Sequence, residues 1–317
     1  MSPTGSSTRV PRLIAAGAAA LFLTAGSAAC SADPAEQAAP ARPAAATASP
    51  SPKASEAAPP SPSAPPAPST AAPAPSTAPS TAADTPAVEP AADGPLKGKV
   101  VVVDPGHNTH NNEHAAEINR QVDIGTGRKE CDTTGTETNS GYAEATFSLD
   151  VAHRLRAVLQ SRGARVVLTH DGDRPYGPCV TERADIGNKA HGDAAVSIHA
   201  DGSDVGHRGF HVILPAAVHA GRADTSAIVG PSKELGARIA GNFVRVTGSA
   251  PSNYIGGGTG LDTRSDLGGL NLSTIPKVFI ECGNMRDPQD AALLTDAAWR
   301  EKAAQGIADG ITDFLRG

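Results

Sequence analysis

Aromatic residues are missing from residues 31–95, a stretch made almost wholly of Ala, Pro, Ser and Thr. Such chain has too little apolar surface to offset the entropy of ordering it, which excludes a core there. A long apolar run is missing too. The longest, residues 13–25, spans about a dozen residues, short of a comfortable membrane crossing. Positive charge is in deficit, with 27 Lys and Arg against 33 Asp and Glu and a net charge of -6. That balance argues for no nucleic-acid partner and against electrostatic capture by an anionic membrane. No internal repeat is visible.

What is present falls into three parts. Arg9 and Arg12 precede the apolar run, which ends in small residues, so residues 1–30 read as an export signal. Cys30 follows Ser27-Ala28-Ala29 directly and has two readings. It is either the acylated N-terminal Cys of a lipoprotein, giving membrane attachment, or an incidental neighbour of an ordinary cleavage site. Ser27 is a poor match to the Leu-like residue usual in a lipoprotein signal. Residues 31–95 form a disordered Ala/Pro/Ser-rich linker, extended at about 3.1 Å per residue where it is Pro-rich, and serving as a tether or a passive spacer. Residues 96–317 form one folded domain, roughly 220 residues and enough for a single core.

Within that domain, Val100-Val101-Val102-Val103 is a short, continuously apolar strand that ends in the turn Asp104-Pro105-Gly106-His107. Phe147, Val151, Leu155, Val158 and Leu159 recur at helical spacing, predicting a helix over residues 142–159 stopped by Gly163. Further strands are predicted at residues 165–169, 194–198, 209–214 and 277–280. Helices are predicted at residues 181–190, with Thr181 as N-cap, at 232–246, and as one or two closing helices over 290–315. Strands alternating with helices indicate an α/β sandwich with a mostly parallel sheet.

His107, His199 and Glu281 each stand at or just beyond the C-terminal end of a predicted strand, the edge where open α/β sheets bind ligands. Glu144 opens the long helix. Two neutral imidazoles and a carboxylate, with a fourth position open, form a common catalytic zinc set. A second carboxylate kept off the metal takes the proton from the attacking water. Spacing alone is a weak signal. There is no His-Glu-x-x-His, ten His allow many pairings, and Glu144 also fits as an acidic first-turn residue favoured by the helix dipole.

Four motifs carry more. Val102-Val103-Asp104-Pro105-Gly106-His107-Asn108, Ser140-Gly141-Tyr142-Ala143-Glu144, Ser197-Ile198-His199-Ala200-Asp201, and Phe279-Ile280-Glu281-Cys282-Gly283-Asn284 with Asp287-Pro288 and Asp290 resemble the zinc-dependent N-acetylmuramoyl-L-alanine amidase family. The resemblance spans residues 98–317 in order. It implies a six-stranded sheet flanked by helices, with His107, Glu144 and His199 binding one zinc ion and Glu281 acting as general base and acid. The implied reaction hydrolyses the amide between the lactyl group of N-acetylmuramic acid and the L-alanine of the stem peptide. Peptidoglycan fragments are then the partners, the cell envelope the location, and a monomer the default state.

Arg264 resembles a basic family residue that faces substrate, and Asn284 either bonds stem peptide or caps its turn. Asp104 either orients His107 or shapes the turn; Tyr254 and Leu272 line the groove or, for Leu272, the core. Cys131 and Cys179, at loops where a subset of the family has similar cysteines, are expected to form a disulfide, with Cys282 a buried thiol. Regulated relatives plug the site with a helix between the second His and the catalytic Glu. Residues 215–230 are too short and too Ala/Gly-rich for that, so an open site acting on small muropeptides is expected. No separate wall-binding module is expected. Two alternatives stand beside this reading: another wall-directed zinc peptidase, and a non-catalytic lipoprotein that binds wall or activates a partner. All four catalytic positions are filled with the right residue types, which argues against the second.

Overall fold

The structure is a computed structural model that describes residues 93–317. The export signal, Cys30 and all but the last residues of the linker lie outside the described residues. The domain is fastened at its start by Leu96, whose side chain is fully buried and whose N–H donates to the Arg162 carbonyl at 2.8 Å.

The first strand, β1 (Val100–Pro105), is buried along nearly its whole length. A long excursion follows, with one helical turn, α1 (Ala115–Ile118), and a hairpin of β2 (Gln121–Asp123) and β3 (Arg128–Glu130). The chain then enters α2 (Glu144–Ser161), β4 (Arg165–Leu168), α3 (Val180–Lys189) and β5 (Ala194–Asp201). After β6 (His211–Pro215) a second hairpin, β7 (His219–Ala220) and β8 (Ala223–Asp224), leads to α4 (Val229–Thr247). The last third holds β9 (Leu261–Arg264), α5 (Gly268–Asn271), β10 (Lys277–Asn284), α6 (Pro288–Thr295) and α7 (Ala297–Arg316).

Six strands make one sheet in the order β4-β1-β5-β10-β6-β9. Its pairings are parallel except β10–β6, so β6 and β9 run against the other four. The expected α/β architecture with a mostly parallel, six-stranded sheet is the one observed.

Successive side chains on a strand point to opposite faces, and here the two faces have different jobs. Val101, Val103, Val196, Ile198, Val212, Val278 and Ile280 enter the main core against α2, α4 and α7, with Phe147, Phe243 and Trp299. The alternate residues, among them Asp104, Ser197, His199, Lys277 and Glu281, emerge on the other face. That face is only partly covered by α3 and α5, leaving room for a cleft.

The structure corrects or completes the sequence reading in four places. Helix α3 begins at Val180, with Cys179 and not Thr181 at the N-cap, and no side chain caps it. The Val180 N–H instead donates to the Cys131 carbonyl at 2.7 Å. The closing segment is two helices, because the Asp296 side chain accepts from the Ala298 N–H at 2.8 Å and starts a new one. Strand β9 was not among the predicted strands; it follows a Gly-rich run and is a short edge strand, so its apolar pattern is faint. Residues 215–230 form the β7–β8 hairpin, whose Ala220 and Ala223 pack on Gly125 of the first hairpin.

Candidate active site

Three parallel strands deliver the site. Asp104 pairs with Ser197 and Glu281 with His199, so the ends of β1, β5 and β10 are level. Gly106 continues β1 by donating its N–H to the Ile198 carbonyl at 3.0 Å, which sets His107 beside His199. Glu144 arrives from the opposite side, on the first turn of α2. It is held there by the Thr136 N–H at 2.9 Å to Oε2 and the Ala200 N–H at 3.3 Å to Oε1.

The three side chains converge on one carboxylate oxygen. Glu144 Oε1 lies 3.0 Å from His107 Nε2 and 2.8 Å from His199 Nδ1, and all three donor atoms lie within 4.8 Å of one another. The imidazole rings meet edge to face, 4.8 Å between centroids. Phe279 stacks flat on His199 at 3.9 Å, and His107 Nδ1 donates to the Thr133 carbonyl at 3.0 Å. Two glycines make the approach possible. A Cβ on Gly106 would stand 2.3 Å from His199 Cε1, and one on Gly135 2.7 Å from His107 Cδ2.

Burial alone would raise the Glu144 carboxyl, but the imidazoles of His107 and His199 hold it well below the usual carboxylate range. Burial opposes charge on His107 as well, and there Glu144 wins and raises the group. His199, mostly buried and beside His107, is lowered. Glu281 behaves in the opposite sense to Glu144. Burial, with the charges of Glu144 and Asp201 nearby, pushes its carboxyl well above the usual range against the pull of Arg264. Its Oε2 is buried with no hydrogen-bond partner.

Two imidazoles and one carboxylate, with donor atoms within 4.8 Å of one another, fit a zinc ion. The bond from His107 Nδ1 to a carbonyl is the outer contact that metal-bound imidazoles make. The orphaned Glu281 oxygen is a further mark of fit, since Glu281 lines the same cleft and this oxygen has no partner of its own. Above these four residues the cleft has a volume of about 490 Å³, walled by Lys129 and Glu130 on one side and by Asp201 and residues 266–270 on others.

The other residues picked out from the sequence are more scattered. Arg264 sits on β9, behind Asp266, to which it donates twice at 2.8 and 2.7 Å; Asp266 reaches the cleft and Arg264 does not. Asn284 is fully buried, and its carboxamide holds residues 203–207 in place through Ser203 N–H and the carbonyls of Asp204 and His207. It too lies off the cleft, and its Oδ1 also accepts from the Arg286 N–H at 3.0 Å, the turn-capping one of its two readings. Asp104 does not touch His107; it accepts from Lys277, Ser197 and Thr169 in a buried network. The Tyr254 hydroxyl donates to Asp201 at 2.7 Å at the cleft edge, and Leu272 packs with Ala184, Val218 and Ala223. Cys131 and Cys179 are joined, and Cys282 is a buried thiol.

Sequence reasoning missed Phe279 as the surface on which His199 rests, and Arg183, Asp132 and Lys277 as a buried charged group. Phe279 was legible in principle, two residues before Glu281 and so on the same face of its strand. Nothing marked Arg183, which reads as an ordinary helix residue.

An α/β domain that gathers two imidazoles and two carboxylates at the carboxyl edge of its parallel strands, under an open cleft, has the build of a metal-assisted hydrolase. The chain belongs to the N-acetylmuramoyl-L-alanine amidase family, whose sequence profile matches residues 101–313. It is 44% identical over 222 residues to N-acetylmuramoyl-L-alanine amidase Rv3717 of Mycobacterium tuberculosis, covering 69% of this chain and 88% of that protein. It is 25% identical to N-acetylmuramoyl-L-alanine amidase LytC of Bacillus subtilis, over 70% of this chain and 36% of the relative. The crystal structure of the amidase Ami1 from Mycobacterium smegmatis superposes with a TM-score of 0.64 at 41% identity, over 69% of this chain and 98% of that one. Ami1 from Mycobacterium abscessus gives 0.63 at 40% identity, over 69% of this chain and 100% of the other.

Proposed function

We propose that this peptidoglycan amidase works through a single zinc ion held by His107, Glu144 and His199, with Glu281 as general base and then general acid. The observation that carries the reading is the convergence of three donor atoms on one point below the cleft, with a fourth, buried carboxyl facing them. Zinc bound there supplies Lewis acidity, easing deprotonation of water and polarising the scissile carbonyl. Glu281 takes the proton from the attacking water and returns it to the departing L-alanine nitrogen. Its Oε2 has no partner to give up before it does so. Phe279 and the Thr133 carbonyl fix the two imidazoles, and the cleft walls align the lactyl amide over them.

The site is open in this reading. Residues 215–230 fold back as the β7–β8 hairpin and contribute nothing to the cleft lining, which supports action on soluble muropeptides without a plug to remove. The division into signal (1–30), tether (31–95) and catalytic domain (96–317), with export to the cell envelope and acylation at Cys30, completes the proposal. No helix among the described residues is long and apolar enough to cross a membrane. Cell-wall relatives support export.

Mass spectrometry of muropeptides digested with and without chelator tests the chemistry. Chelator-sensitive release of intact stem peptide bearing a free L-alanine amine is expected. Release of terminal D-alanine would instead make the chain a carboxypeptidase.

A further inference from the structure

Below the candidate ligands, on the same face of the sheet, two cations and two carboxylates are buried together: Arg183, Lys277, Asp104 and Asp132, none more than 5% exposed. Burying four charges is costly unless each is fully paired, so the pattern of their bonds indicates what the cluster is for. Lys277 bonds only Asp104, at 2.9 Å. Arg183 is different. Its Nε donates to the Pro178 carbonyl at 2.8 Å, Nη1 to Asp104 at 2.9 Å and the Pro105 carbonyl at 2.5 Å, and Nη2 to the His107 carbonyl and Asp132 at 2.8 and 2.9 Å. All five donors of the fork are used, and two of them grip the carbonyls of the Pro105-Gly106-His107 turn.

We propose that Arg183 is a positioning residue for the metal site, fixing His107 from two sides; this rests on the zinc reading above. The first side is the backbone. His107 has φ of 59°, a left-handed conformation that a non-glycine residue adopts only when its surroundings enforce it. The bonds from Arg183 to the carbonyls of Pro105 and His107 span that turn and enforce it.

The second side is the imidazole. Asp132 Oδ2, held by Arg183, also accepts from Asn111 Nδ2 at 3.1 Å, while Oδ1 accepts from the Thr133 N–H at 2.8 Å. This locks Thr133, whose carbonyl accepts the hydrogen bond of His107 Nδ1 at 3.0 Å. With Nδ1 so engaged, Nε2 is the nitrogen turned to Glu144 and the ligand position. One guanidinium therefore sets both where the His107 backbone sits and which of its nitrogens faces the metal. The Cys131–Cys179 bond closes the frame, since Cys131 precedes Asp132 and Cys179 lies one helical turn before Arg183. A lysine reaches the same spot but lacks the planar fork that spans the His107 carbonyl and Asp132 together.

The test is zinc affinity of the purified full chain, by competition with a calibrated chelator, for the wild type, Arg183→Lys and Asp132→Asn. Both variants are expected to bind zinc about 10–100-fold more weakly while unfolding cooperatively as metal-free proteins. Arg162→Gln breaks an ion pair with Asp309 between α2 and α7, and is expected to lower Tm with zinc affinity unchanged. A folded Arg183→Lys or Asp132→Asn that binds zinc as tightly as the wild type overturns the proposal and leaves the zinc reading intact. A wild type that binds no zinc overturns both. Should neither variant fold, long-range ¹H–¹⁵N spectra of the zinc-loaded wild type decide: a protonated Nδ1 on His107 supports the assignment, and a metal-bound Nδ1 sinks it.

Discussion

At the scale of single residues, the site depends on two carboxylates with opposite surroundings. Glu144 is pinned between imidazoles and kept ionised, whereas Glu281 is enclosed, unpartnered and raised. Glu281→Gln keeps the shape and removes the proton acceptor, so kcat on muropeptides should fall at least about 100-fold, the usual worth of general base catalysis, with zinc content unchanged. Equal activity in the variant would remove Glu281 from the mechanism. Gly106→Ala places a methyl on the His199 ring, and chelator competition should show zinc held about tenfold more weakly. Strand ends made His107, His199 and Glu281 plausible neighbours from the sequence, whereas Glu144 rested mainly on the family resemblance. Arg264 and Asn284 were not legible, because a sequence shows that a polar residue is near a site but not which way it has been spent. Asn284 turned inward to hold the 203–207 loop, and Arg264 turned to Asp266.

At the scale of elements, the level ends of β1, β5 and β10 are held by charge as well as by backbone bonds. Asp104 on β1 ties β5 through Ser197 and β10 through Lys277. Although burial alone would raise its carboxyl, Lys277 and Arg183 keep it well below the usual range. A carboxyl depressed in the folded state adds stability that is fully present above its unfolded value of about 3.9. That stability is lost as pH falls through the folded value. Asp104→Asn should therefore cost about 3–5 kcal/mol at pH 7, leaving the buried Lys277 unpaired, and urea titrations should show the gap to the wild type narrowing below about pH 4. A gap that does not narrow would mean the cost is shape and not charge. Long, periodic elements such as α2 and the Val-rich β1 were readable from sequence. Edge strand β9 and the hairpins were not, since two to four residues cannot display a period.

At the scale of the whole molecule, the three donor residues come from β1, α2 and β5, so bound zinc joins elements that only the fold brings together. A ligand that binds the folded state alone stabilises it by about 2.7 kcal/mol at a hundredfold excess over Kd, or roughly 5–10 °C in Tm for a domain this size. Differential scanning calorimetry of metal-free protein with and without added zinc should show that rise, and its absence would argue against a site built from all three. The chain order adds one more consequence. Strand β10 is the last strand to be made, yet it lies between β5 and β6 in the middle of the sheet. Synthesis from the N-terminus delivers His107, Glu144 and His199 well before residue 281. The sheet cannot close, and the cleft cannot acquire its base, until nearly the whole chain has been delivered. The central strand that arrives last therefore makes the cleft the last part of the sheet to be completed.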